Sequence, residues 1–102
     1  MKIIKCLSEY IEEELHDADK YITKAMMVKQ EYPDLAETLY QIAMEEMTHM
    51  SRIHTEAERI IAEYRRKVGE PPAAMQAVYD YLHERMVEKS KAVKVELAMF
   101  RE

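Results

Sequence analysis

The apolar seam Leu35, Leu39, Ile42, continued by alternate steps of four and three, lands on Glu46, then His49, then Ile53. A carboxylate and an imidazole thus take positions where a helical bundle asks for leucines. Burying such groups unpaired costs several kcal/mol, so any stable fold of this chain must give them a partner. Glu-x-x-His turned inward from a helix is one way in which helical bundles hold a carboxylate-bridged pair of metal ions.

The rest of the sequence favours such a bundle. With one glycine, three prolines and abundant Glu, Lys, Ala, Leu and Met in 102 residues, there is little to build a sheet from, and the expected class is all-α. A first helix is expected from about Ile3 to Gln30, because Ile4, Leu7, Ile11, Glu14, Ala18, Tyr21, Ala25 and Val28 recur in steps of three and four. Ile3, Tyr10, Leu15, Ile22 and Met26 widen that stripe, while Glu9, Glu13, His16 and Lys20 form a solvated row behind it. Tyr32-Pro33-Asp34 places a proline and an acid in the first turn of a second helix, which runs to about Lys67. Gly69 offers its C-terminal cap, and Pro71-Pro72 prevents continuation. A third helix covers Ala73 to Phe100, with Met75, Val78, Tyr79, Leu82, Met86, Val93, Leu97 and Phe100 on one face. No linker or repeat divides the chain, so residues 1–102 are expected to form one domain.

Only Glu14 interrupts the first stripe. With the first turn centred near residue 32, Glu14 lies about 18 positions before it, and Glu46 and His49 lie about 14 and 17 after it. In an antiparallel hairpin these three groups share one height, within about a turn at 1.5 Å rise per residue. The same test on helix 3 brings Lys91 to Lys94 opposite them, with Glu88 and Glu96 about a turn to either side and Glu84 farther off, so one chain supplies half of a di-metal ligand set. Glu13 and His16 repeat the Glu-x-x-His spacing but belong to the solvated row. His54 and His83 read as packed or surface histidines, with nothing at matching height to complete a ligand set; Met44, Met47 and Met50 read as core or interface. Tyr21, one heptad beyond Glu14, reads as core packing, within reach of a hydrogen bond to a ligand.

A net charge of −5 with interleaved bases argues against nucleic acid, the triplet Arg65-Arg66-Lys67 being a helix end that complements the macrodipole. No apolar stretch is long enough to span a bilayer, and the N-terminus soon runs into Glu12-Glu13-Glu14, unlike a signal peptide, so a cytoplasmic protein is expected. Cys6, alone, forms neither an internal disulfide nor a Cys-x-x-Cys pair.

The segment from Glu14-Leu-His-Asp-Ala-Asp-Lys-Tyr21 to Pro33-Asp-Leu-Ala-Glu-Thr-Leu-Tyr-Gln-Ile-Ala-Met-Glu-Glu46-Met-Thr-His49 resembles the first half of the rubrerythrin branch of the ferritin-like superfamily. The resemblance covers about residues 3 to 60 and implies that Glu14, Glu46 and His49 ligate a di-iron centre reacting with dioxygen or peroxide. The family's second half, which repeats the Glu and the Glu-x-x-His on two more helices, is replaced here by a third helix without the motif. In size and motif count the chain is similar to encapsulated ferritins, half-ferritins that complete the iron site between subunits. The expectation is a ferritin-like bundle of three long helices completed as a homodimer or larger even-numbered oligomer. It would oxidise Fe(II) with Glu46 and its mate bridging two irons, and Zn or Mn could substitute. The alternatives are a non-catalytic metal-binding module, or a metal-free helical oligomerisation module whose polar layer Lys91 or Lys94 neutralises.

Overall fold

The computed structural model describes residues 1–102 as three α-helices and no strand: α1 (Lys2–Val28), α2 (Pro33–Lys67) and α3 (Ala73–Phe100). The expected helix boundaries hold for α2 and α3, and α1 stops two residues short of Gln30. Tyr32 precedes a proline, which drives it out of the helical region to φ −131°, ψ 70°, so residues 29–32 are taken up by the turn. At the other end of α2 the carbonyl of Tyr64 accepts from both Val68 N–H at 2.8 Å and Gly69 N–H at 3.4 Å. Gly69 then turns the chain at φ +119°, a conformation that a side chain would strain.

The helices run up, down and up in a bundle 56 × 19 × 18 Å. At 35 residues α2 is about 52 Å long and spans the whole molecule. It packs against α1 along its length, whereas α3 packs mainly on α1 and touches α2 little. No helix is long and apolar enough to cross a membrane.

The largest core lies at the α1–α2 turn, where Ala18, Ile22, Ala25, Ala36, Tyr40, Ala43, Val93, Leu97 and Phe100 meet. Its alanines let the helices approach closely. Tyr40 and Phe100 stack with ring centroids 4.8 Å apart. The Arg101 guanidinium lies 4.0 Å over the Tyr40 ring and grips both oxygens of Glu37 at 2.7 and 2.9 Å, fastening the end of α3 to the start of α2. Midway along, Ile11, Leu15 and Met50 form a smaller cluster; at the far end Ile4, Ala57 and Tyr79 form another.

These clusters correct the expected faces. On α2 the side chains turned inward are Ala36, Tyr40, Ala43, Met50 and Ala57, while Leu35 remains 47% exposed. On α1 Leu15 and Ile22 are the most deeply buried large residues, worth about 1.5–3 kcal/mol each, and Glu14 stands at their edge. On α3 Val78 is exposed and Ser90 is buried in the packed row. The seam from Leu35 to Ile53 therefore lies about a quarter-turn from the centre of the core, on a side that α3 leaves open.

Candidate metal centre

Glu14 leaves α1 beside Leu15, which is locked into the core against Ile11 and Met50, so its direction is set by packing. Glu46 and His49, one turn apart on α2, leave beside Ala43 and Met50, which face the same core. The three side chains converge: ligand atoms from Glu14, Glu46 and His49 all lie within 4.8 Å of one another. His49 Nδ1 stands 3.5 Å from Glu14 Oε2 and 4.0 Å from Glu46 Oε2. The carboxylates are mostly covered, at 25% and 18% exposure, and the imidazole is 51% exposed. The shared height read from the turn at residue 32 is thus realised as contact.

The electrostatics of this cluster are unbalanced. Glu14 Oε2 is closed off from solvent and accepts no hydrogen bond. Two ionised carboxylates side by side contain no donor and repel each other, which favours a shared proton, a bound cation, or a compensating charge on the half-exposed His49 imidazole nearby. A proton on one of the pair would let the two carboxyls hydrogen-bond, and this first, then burial and the Glu14 charge, pushes the Glu46 carboxyl up to about 7, with His49 pulling the other way. Two carboxylate oxygens and an imidazole nitrogen form a hard-to-borderline donor set of the kind that suits Fe, Mn or Zn.

Helix α3 supplies neither a cation nor a ligand here, which corrects the register expected for it. Lys91 and Lys94 are exposed, and Ser90 and Val93 are the residues of that stretch that turn inward. The bases of α3 nearest this height serve Glu12 instead: Arg85 is bound to it and Lys89 Nζ lies 3.6 Å away, which lowers the Glu12 carboxyl from its usual range. Of the α3 acids, Glu84 and Glu88 are exposed. Glu96 accepts from Thr23 Oγ1 at 3.3 Å, and burial together with Asp19 raises its carboxyl.

Glu13 and His16 lie on the outer row of α1 with Glu9 and Lys20. Tyr21 packs against the main core, with Lys20 Nζ 5.1 Å above its ring. The methionines do not form a common surface: Met50 is buried inside the chain, Met47 packs on both neighbouring clusters, and Met44 is exposed about 200° around α2 from Glu46.

His54 and His83 depart from expectation most. Their rings stack across the α2–α3 gap with centroids 5.6 Å apart, and both line a cavity of about 340 Å³. They do share a height, since their numbers straddle residue 70 almost evenly. The turn rule that joined Glu14 to His49 identifies this pair once it is applied to histidines as well as acids. The chain matches no family model, no curated protein sequence and no solved structure.

Proposed function

We propose that the chain is a ferritin-like di-iron protein that oxidises Fe(II) with dioxygen or peroxide, and that its metal site is completed by a second copy. The observation that carries this reading is the convergence of Glu14, Glu46 and His49 around a covered carboxylate oxygen, Glu14 Oε2, that accepts no hydrogen bond. The fit of the donor set to iron rests on the same geometry: two acids and one imidazole, with the acids mostly covered and no cation from α3.

The chain's own residues have distinct tasks. Glu14 and Glu46 hold positive charge in a pocket where one of them otherwise keeps a proton near neutral pH, so loading metal releases that proton from Glu46. His49 contributes the nitrogen donor from the half-open side, where a small oxidant can enter. An iron pair would supply two one-electron reductants together: dioxygen takes both electrons with two protons and leaves as hydrogen peroxide, or hydrogen peroxide takes them with two protons and leaves as two waters.

Three ligands are too few for two carboxylate-bridged ions, and the face around them is built to be covered. Ile3, Tyr10 and Leu35 are exposed on it, and Leu7, Leu39, Ile42 and Ile53 are half-buried, in rows that flank the three ligands on α1 and α2. A two-fold axis through this face sets two identical triads against each other and buries both apolar rows. Anaerobic Fe(II) loading followed by air exposure tests the reading. The expected result is transient oxo-bridged ferric absorbance, lost in Glu46→Ala. Metal bound without that absorbance would make the chain a non-catalytic metal holder, and no bound metal at all would refute the site.

A further inference from the structure

We propose that the outward face of α3 is a self-association surface, on which the α3 of a second copy packs antiparallel about a two-fold axis. It lies apart from the Glu14, Glu46 and His49 cluster, whose ligands come from α1 and α2 on the side that α3 leaves open, and it needs no metal.

Helix α3 carries apolar residues on two faces. Tyr79, Val93, Leu97 and Phe100 turn into the bundle, whereas Val78, Tyr81, Val95 and Met99 are each at least 50% exposed. These four are not scattered. Ala74 starts their row and Ala92 continues it; with Arg85 and Glu88 in the middle, the steps along the helix alternate four and three without a break from residue 74 to residue 99. That is a heptad seam about 37 Å long, exposed at every position. A seam of this period suits another helix, because its members stay on one line only when a partner helix winds along it.

The order of residues along the seam fits a second copy of the same helix. Its midpoint falls between Met86 and Val87, so an antiparallel copy sets each residue against the one equally far on the other side. Arg85 then meets the partner's Glu88, and Glu88 meets the partner's Arg85. In the apolar layers Tyr81 meets the partner's Ala92 and Ala74 meets the partner's Met99, a large side chain against a small one each time, while Val78 meets the partner's Val95. A parallel copy would instead set arginine on arginine, glutamate on glutamate and methionine on methionine. Both charges are available for this pairing. Glu88 is exposed and takes no part in the chain's own ion pairs; Arg85 shares Glu12 with Lys89, two bases on one acid, and has further guanidinium N–H groups to donate. Four large apolar side chains per copy around a charged middle layer make an interface at the weak end of the specific range, formed at high protein concentration and lost on dilution. Joined to a two-fold contact at the metal centre, it links pairs of chains into larger even-numbered assemblies.

The experiment is sedimentation velocity on a Glu46→Ala/His49→Ala chain with chelator present, which removes the metal-linked contact, so that failure here and failure of the metal centre are told apart. The expected result is a reversible equilibrium, with monomers at about 10 μM passing to dimers towards 1 mM. Glu88→Arg, at an exposed position, sets arginine against arginine twice and should weaken the dimer at least about 10-fold. Val95→Glu should weaken it as much by putting a carboxylate into an apolar layer. Arg85→Glu should also stay monomeric alone, yet its mixture with the Glu88→Arg chain should form a heterodimer, since two glutamates of one chain then face two arginines of the other. Circular dichroism confirms that each variant is folded before it is scored. A parent chain that stays monomeric at about 1 mM, dimers that survive Glu88→Arg or Val95→Glu, or folded charge variants that do not pair when mixed, would overturn the proposal.

Discussion

Glu13 and His16 carry the same spacing as Glu46 and His49, and one turn of helix separates residues in both pairs, yet the two have opposite surroundings. The first pair lies on the outer row of α1; the second meets Glu14 from the neighbouring helix, with its carboxylate mostly covered. The difference is one of face. Leu15 and Ile22 fix the rotation of α1, and Met50 and the alanines fix that of α2, so that only Glu14 and Glu46 are carried to the same edge. A motif of two polar residues thus acquires chemistry from the apolar residues beside it.

The largest expected effect separates the two motifs directly. Glu46→Ala or His49→Ala should weaken iron binding by about 100-fold or more while leaving the helical content unchanged, since each removes a ligand and keeps the apolar rows. Glu13→Ala and His16→Ala should leave affinity within about twofold. Equilibrium Fe(II) binding under anaerobic conditions measures all four. Equal losses from both motifs would mean that face does not decide.

Stability without metal should show the reverse ranking. Replacing Glu14 and Glu46 together by leucine removes two carboxylates that lack a cation, and should stabilise the metal-free chain by about 1–4 kcal/mol in urea unfolding. The same replacement at Glu13 should change stability by less than about 0.5 kcal/mol.

The pH dependence distinguishes the regions in a third way. Glu46 ionises at about 7 when folded and near 4.5 when unfolded, so between those values the folded chain holds the extra proton. Stability of the metal-free protein should therefore fall as pH rises through that window, by ~1–3 kcal/mol, and Glu46→Gln should flatten the decline. Glu12, Glu37 and Glu63 act with the opposite sign. Arg85 lowers the first, Arg101 the second, and Lys67 followed by Arg66 the third, so their contribution is lost only as pH falls below about 4.5. Urea unfolding at a series of pH values reads both trends.

The smallest effect is at the end of α2, where Gly69→Ala should cost about 1 kcal/mol for its φ of +119°, with open space around the added methyl. Thermal unfolding measures it.

Much of this is legible in the sequence because the punctuation is strong. Pro33, Gly69 and Pro71-Pro72 bound the helices within two residues, and the turn at residue 32 sets Glu14 beside His49 by numbering alone. The rotation of α2 is less legible, since large residues such as Leu35 and Leu39 mark an apolar stripe whereas the true contact line runs through Ala36 and Ala43, small side chains that vanish between close helices. Helix α3 departs from its expected register by part of a turn for a related reason: Ser90, a polar residue, occupies a buried position in its packed row. His54 and His83 are hard to read as a pair because each lies at the edge of a stripe and neither interrupts one.

The central claim is that Glu14, Glu46 and His49 from two copies enclose a pair of metal ions. Native mass spectrometry of the Fe(II)-loaded protein under anaerobic conditions, with zinc excluded, tests it most directly. The expected species is a dimer, or an even multiple of it, carrying two irons per pair of chains, which dissociates to monomers when a chelator removes the metal. A monomer that retains two irons, or a dimer whose mass is the same with and without Fe(II), would contradict the account.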